Sequence, residues 1–348
     1  MKKTTALVAL LSAAALAVAG CGGSSDSSSA TAAASSSSSS SGSGSTKLAL
    51  VAYSTPQAAY DKIIPAFGAT PAGKGTSFTE SFGASGDQSR AVLAGQPADV
   101  VAFSLAPDVS KLVDAGLVDA SWNSDQYKGI VTDSVVALVV RKGNPKGIHT
   151  WADLLKPGVQ VITPNPFTSG SAKWNIMAAY GAQTQEGKSP AQALAYLKTL
   201  FTKHVAVQDK SGRDALNTFA GGKGDVLISY ENEAIGAQQK GIKLDYVIPK
   251  DTILIENPIA VVSKSKHLAQ AKAFVAYTRS PTAQRIFGKL GYRPIVPAIA
   301  KEFSFPKPAG LFTIQKFGGW STVNKQFFDP ATGSIAKVEQ SAGVSTGG

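Results

Sequence analysis

The chain is poor in the residues on which several kinds of chemistry depend. It holds one cysteine in 348 residues, so an intrachain disulfide is impossible. Its three histidines, His149, His204 and His267, lack the spacing of metal ligands, so no zinc site is indicated. The loop serines have no evident histidine partner, which leaves a hydrolase without its base. A Gly-rich loop ending in Lys-Ser or Lys-Thr is missing, so the chain carries no ATP site of that type. No cofactor is called for, and no internal repeat of fixed period is present. Beyond the N-terminus, no apolar run approaches the roughly 20 residues that span a bilayer as a helix. Acidic residues are also in deficit, 23 against 34 Lys and Arg, for a formal charge of +11. A basic surface suits an anionic ligand, anionic lipid or cell wall. Nucleic acid is a poor fit, because the charges are scattered and no basic helix stands out.

What is present begins with an export signal. Met1, Lys2 and Lys3 open the chain, and an Ala/Leu/Val run follows to about Ala19. The run is short for a membrane span and ends in small residues, as secretory signals do. Val18-Ala19-Gly20-Cys21 resembles the bacterial lipobox, which implies cleavage before Cys21 and lipidation of its sulfur. Residues 1–20 are therefore expected to be a lipoprotein signal peptide. The mature protein is expected outside the cytoplasm, held on the outer face of the cell membrane through Cys21; two or more acyl chains anchor firmly, one only weakly. Residues 21–46 are rich in Ser, Ala and Gly with almost no large apolar side chains. Such a tract cannot bury enough surface to offset chain entropy and reads as a tether.

From Lys47 onward, strand-like and helix-like runs alternate. Strands are read at Leu48–Tyr53, Ser77–Ser81, Asp99–Phe103, Val135–Val140, Val159–Ile162, Val205–Val207, Val226–Ser229, Leu244–Ile248 and Ile259–Val262. Helices are read at Gln57–Phe67, from Gln88, at Val109–Ala115, Ala172–Tyr180, Pro190–Thr202, Ala215–Ala220, Leu268–Thr278 and Pro281–Leu290. Short connections between alternating elements argue an α/β fold with largely parallel sheets. Ligands in such sheets lie beyond the carboxyl ends of the strands.

Three loops at such ends share one character: Gly83–Ser89, Thr163–Asn175 and Asp209–Ala215. Each places small residues where a helix begins. Small residues let a ligand approach the backbone closely. The first N–H groups of a helix have no internal partner and carry partial positive charge, so each loop end can receive an anion. Ser and Gly at helix starts are also ordinary caps.

The wording of these loops resembles the sulfate- and thiosulfate-binding proteins of ABC importers. The resemblance runs from about Leu48 to Phe328. It includes Gly83 to Gln88, Ala98-Asp99-Val100-Val101 and Val140 to Lys146. It includes Lys156-Pro157-Gly158-Val159 and Ile162-Thr163-Pro164-Asn165-Pro166, followed by Ser169-Gly170 and Trp174-Asn175. Gly224 to Ile228, Glu231-Asn232-Glu233-Ala234, Tyr292-Arg293-Pro294, Leu311-Phe312-Thr313 and Gly318-Gly319-Trp320 complete it.

The resemblance implies a two-lobed periplasmic-binding-protein fold (type II) with the ligand cleft between lobes. One lobe would comprise residues 47–132 and 258–348, the other 133–257. It implies a monomer that captures sulfate, or thiosulfate, and passes it to an ABC permease with its ATPase. In that family the dianion is held by backbone N–H groups and a few neutral donors. Carried over, the ligand residues are Ser54, Ser85, Ser169, Gly170, Ser171, Gly212 and Tyr230, with Arg213 bracing loop backbone. This sequence departs from the family at three of these positions. Tyr230 stands at a tryptophan, Ser171 at a usual glycine and Ser54 at an aspartate. Other tetrahedral oxyanions (molybdate, tungstate, phosphate) remain open, with Asp87 and Asp214 as acceptors for a protonated phosphate. A structural, wall-associated lipoprotein would also explain anchor and charge.

Overall fold

The computed structural model describes residues 45–347. The signal segment, Cys21 and nearly all of the Ser/Ala/Gly tract lie outside the described residues.

Each half of the molecule grows from parallel strands linked by helices. In the first half β1 (Thr46–Tyr53), α1 (Gln57–Gly68), β2 (Thr76–Gly83), α2 (Ser85–Leu93), β3 (Val100–Ala102) and α3 (Ala106–Asp114) follow in order. The chain then crosses on β4 (Ile130–Arg141). The second half adds β5 (Val161–Pro164), α4 (Gly170–Gln185), α5 (Pro190–Thr199), β6 (Val205–Asp209), α6 (Gly212–Ala220), β7 (Val226–Tyr230), α7 (Glu231–Gln239) and β8 (Leu244–Val247). The return is β9 (Asp251–Val261), followed by α8 (Leu268–Thr278) and α9 (Pro281–Lys289). Strand order is β2-β1-β3-β9-β4-β7-β5-β6. β1 runs parallel to β2 and β3, and β5 parallel to β6 and β7. Only β4 and β9 belong to both halves, paired antiparallel through Ser134↔Ile255 and Val135↔Leu254.

That two-stranded ribbon joins the halves, and its sequence shows why the apolar pattern marks only part of it. Thr132, Asp133 and Ser134 interrupt the apolar run that marks a strand, yet Thr132 and Ser134 are buried. Their polarity is met locally: Ser134 Oγ donates to Asn232 Oδ1 at 2.7 Å. Pro258 cannot donate to a ladder, and register slips there, with Ile130 opposite Pro258 but Thr132 opposite Asn257. A bulge at a strand proline is the usual resolution.

Apolar side chains form four clusters, one on each face of each half-sheet. Leu48, Leu50 and Ala52 of β1 pack with Tyr60, Ile63 and Phe67 of α1 and Phe274 and Phe287 of α8 and α9. Val51, pointing the other way, packs with Val92, Val109 and Leu112. Ile162 and Leu227 pack with Leu216 and Phe219 of α6. Val161 and Ile228 face α4, which is buried nearly all round, from Gly170 through Gln183. A helix buried on every side is central, not superficial.

The tail packs onto the α4 core. Residues 258–348 are read from the sequence as part of the first half. After α10 (Pro297–Ala300), however, β10 (Gly310–Phe312) pairs with the start of β9. Then α11 (Gly319–Val323) and α12 (Ser334–Ser341) follow. Phe312, Ile314, Val323, Phe327, Phe328, Ile335 and Val338 all join the α4 core. Trp320 meets Trp174 edge-on at 4.6 Å. Apolar burial thus carries everything from Gly310 onward to the second half. α7 is absent from the sequence reading because its first residues, Glu231, Asn232 and Glu233, are polar and yet buried, which hides helical periodicity.

The tail also carries a titratable lock. Glu339 of α12 is fully buried, and its Oε2 accepts from Gln208 Nε2 at 2.7 Å. Its Oε1 has no partner among the described residues. Burial pushes this carboxyl up to about 7, against the Gln208 hydrogen bond. In an unfolded chain glutamate titrates near ~4.3. Between those values the folded state holds the extra proton. This contribution is therefore complete below about pH 4 and is lost as pH rises through about 7. Glu339→Gln is expected to flatten that loss. Urea midpoints followed from about pH 5 to 8 check it, and parallel profiles for both proteins would show that the carboxyl is not held neutral.

Candidate functional site

Five strand–helix junctions meet where the halves face each other. They follow β1, β2, β3, β5 and β6, and they border a narrow space of about 170 Å³ that is partly open to solvent. The lining is Tyr53, Ser54, Thr55, Gly83, Ala84, Ser85, Ser104, Ser169, Ser171, Ser211 and Gly212. No charged side chain is among them.

Helix starts supply the electrostatics. α2, α4 and α6 all begin at this cavity, with Ser85, Gly170 and Gly212 as their first residues. Neither α2 nor α4 has a side-chain cap at its N-terminus. Caps contribute about 1 kcal/mol each, and neither helix has one; in α2 the N–H of Gly86 donates instead to Thr168 O at 3.0 Å. α6 is capped by Ser211, whose Oγ accepts from Asp214 N at 3.1 Å and donates to Asp214 Oδ2 at 2.7 Å. That cap leaves the earlier N–H of Gly212 free of it. Partial positive charge from three helix ends thus converges on one small volume.

The hydroxyls are held in pairs. Ser169 and Ser171 share a 2.7 Å hydrogen bond. Ser85 Oγ donates to Asp108 Oδ2 at 2.7 Å and accepts from Ser104 N at 3.0 Å. Its hydroxyl therefore fixes the loop, and its backbone N–H is the group left at the cavity. Asp108 also receives Lys111 Nζ at 3.1 Å.

Contacts between the halves close over the cavity. Gly86 N donates to Thr168 O at 3.0 Å. Trp174 Nε1 donates to Ser104 O at 2.9 Å. Arg213 donates to the carbonyls of Ser54 and Thr55 at 3.2 and 3.0 Å. Thr55 Oγ1 donates to Glu233 Oε1 at 3.2 Å, and Ser229 Oγ donates to Glu233 Oε2 at 2.6 Å. Burial raises the Glu233 carboxyl, while Ser229, Arg213 and Thr55 pull the other way. Lys210 pairs with Asp87 at 2.9 Å on the rim, an exposed pairing of small energetic weight.

Of the residues singled out in the sequence, Ser54, Ser85, Ser169, Ser171 and Gly212 line the cavity. Gly170 lies in its wall, against Ser104 and Leu105. Tyr230 is fully buried one step behind, its hydroxyl 2.7 Å from Ser104 Oγ. Asp87 and Asp214 do not line the cavity; they serve Arg90 with Lys210, and the α6 cap. Ser104 was missed, although a small residue just past the β3 end fits the rule that ligands sit beyond strand ends. Tyr53, Thr55, Gly83, Ala84 and Ser211 belong to stretches that were already noted.

Comparison with known proteins places the chain. The sequence pattern of the bacterial extracellular solute-binding proteins matches residues 48–293. The chain belongs to this family. A sulfate-binding protein of Synechococcus elongatus is 43% identical over 305 residues, 84% of this chain and 87% of that protein. A thiosulfate-binding protein of Pseudomonas aeruginosa is 37% identical over 298 residues, 80% and 88% of the two chains. The solved structure of the sulfate-binding protein SubI from Mycobacterium tuberculosis superposes with a TM-score of 0.80 at 48% identity, covering 82% of this chain and all of that one. The two half-sheets joined by a ribbon are the two-lobed periplasmic-binding-protein architecture. Among the described residues no helix is long and apolar enough to cross a membrane.

Closure puts a measurable demand on Gly170. A Cβ there would sit 2.7 Å from Leu105 Cδ2 and 2.9 Å from Ser104 Cβ, both across the interface. Gly170→Val is expected to leave each half folded but to keep them apart. Small-angle scattering should show a larger radius of gyration with near-normal thermal stability. An unchanged radius would mean that the halves do not close on this residue.

Proposed function

We propose that the protein captures sulfate outside the cytoplasm and delivers it to an ABC-type importer. One observation carries the reading: a small cavity with uncharged walls sits at the starts of three helices, two of them without side-chain caps. Sulfate is fully ionised near neutrality and offers only acceptors. Backbone N–H groups and hydroxyls answer it without an opposing charge. A phosphate that retains a proton needs an acceptor, and no carboxylate lines this cavity. Thiosulfate is the second reading, favoured by the thiosulfate-binding relative.

In this reading Ser85, Gly170, Ser171 and Gly212 act through backbone N–H groups and Ser169 through its hydroxyl, its N–H being held by Asn165 O at 2.9 Å. Ser54 frames the first loop, and Arg213 braces it. Tyr230 acts from behind Ser104. The lobes are residues 47–132 with about 258–309, and 133–257 with the tail from Gly310. They swing about the β4–β9 ribbon, and the closed form is what the permease and its ATPase meet. The role is binding and release, with no turnover. The chain works as a monomer anchored by lipid on Cys21.

Isothermal titration of dialysed protein with sulfate, thiosulfate, molybdate and phosphate tests the ligand. One-to-one binding led by sulfate is expected. Ser169→Ala should weaken it about ten- to a hundred-fold, the value of one hydrogen bond to a charged group. Preference for molybdate or phosphate would overturn the ligand. No binding of any would overturn the transport role and bring forward a wall-associated lipoprotein. The anchor is tested separately: Cys21→Ser should move the protein from the membrane fraction into the soluble extracytoplasmic fraction.

A further inference from the structure

Ser104 is pinned on three sides. Its N–H donates to Ser85 Oγ at 3.0 Å, and its carbonyl accepts from Trp174 Nε1 and from Asn257 Nδ2, both at 2.9 Å. Only its hydroxyl can turn. That hydroxyl faces the cavity on one side and Tyr230 OH, 2.7 Å away, on the other. Tyr230 is wholly buried, and Ser104 is its one hydrogen-bond partner among the described residues. Burial also holds the phenol protonated, against the Ser104 hydrogen bond.

Two arrangements of the protons are possible. In the first, Tyr230 donates to Ser104 Oγ and Ser104 donates into the cavity, so both O–H groups are used when the ligand is an acceptor. In the second, Ser104 donates to Tyr230 and offers a lone pair to the ligand. The buried Tyr230 O–H then has no acceptor, and a buried unsatisfied donor is costly. We infer that Ser104, backed by Tyr230, is a specificity-determining donor that favours oxyanions without a proton over those that carry one. The inference rests on the oxyanion-binding reading and adds to it two residues acting as one unit. Asp108 and Glu233, the acidic groups nearest the pair in charge, are already engaged by Ser85 with Lys111 and by Thr55 with Ser229. Neither takes the phenolic proton.

The test is a double-mutant cycle of Tyr230→Phe and Ser104→Ala, read by titration with sulfate and with inorganic phosphate at about pH 8. Both changes remove a single oxygen, so folding is expected to survive, and thermal melts verify it. Tyr230→Phe should lower the sulfate-to-phosphate affinity ratio about ten-fold, because Ser104 can then turn either way without stranding a buried donor. Ser104→Ala should weaken sulfate about ten-fold or more. Tyr230→Phe should then have no further effect on the ratio in the Ser104→Ala background. A ratio unchanged by Tyr230→Phe, or equal effects of that change in both backgrounds, would overturn the relay. Wild-type protein that binds neither ion would instead overturn the oxyanion reading itself.

Discussion

The constraint on which the structure turns is the fate of the first N–H groups of α2 and α4. A buried donor without a partner costs several times what a satisfied one contributes. Neither helix has a side-chain cap, and both begin inside the interface between lobes. Their neighbours are Ser, Gly and Ala, which bring no competing charge and allow close approach. In α2 the protein itself meets part of this demand, with Gly86 N donating to Thr168 O at 3.0 Å.

Closure follows from the same residues. Gly86 and Gly170 are each the first or second residue of a helix, and each is where one lobe touches the other. A Cβ on Gly86 would stand 2.8 Å from Thr168 O, and one on Gly170 2.7 Å from Leu105. Glycine at these two positions is what lets the lobes meet so closely. Around this contact, Trp174, Arg213 and Thr55 cross from lobe to lobe with hydrogen bonds to backbone or carboxylate. β4 and β9 are the only strands that belong to both lobes, and the chain crosses once more between α10 and β10.

Much of this was legible in the sequence, and the gaps have physical causes. Alternating runs such as Leu48–Tyr53 gave the strands because both faces of a central parallel strand are apolar. The three loops were found because Ser and Gly at helix starts mean either a cap or a site. Their helices begin two or three residues earlier than periodicity indicates, since the first turn is made of the loop's own small residues. Ser104 escaped notice because a lone serine beyond a three-residue strand has no pattern. Its importance comes from Trp174, Asn257 and Tyr230, which lie 70 or more residues away. The packing of the tail on the α4 core was not legible, because nothing local in Phe312, Phe327 or Val338 says which apolar surface they will cover.

The excess of positive charge and the uncharged cavity belong to one design. Cations stand back from the site: Lys210 on the rim, Arg213 behind the first loop, and Lys173 in the first turn of α4, where burial pulls its amine down to about 8. At that distance they raise the local concentration of anions and speed encounter. A lysine in contact with a buried dianion would be left buried and unpaired whenever the anion departed, and an uncompensated buried charge is strongly destabilising. Neutral N–H and O–H groups carry no such penalty, because they return to water as the lobes part. A cavity lined only by dipoles can therefore hold a dianion firmly when shut and give it up when opened, which is what a carrier that must surrender its cargo requires.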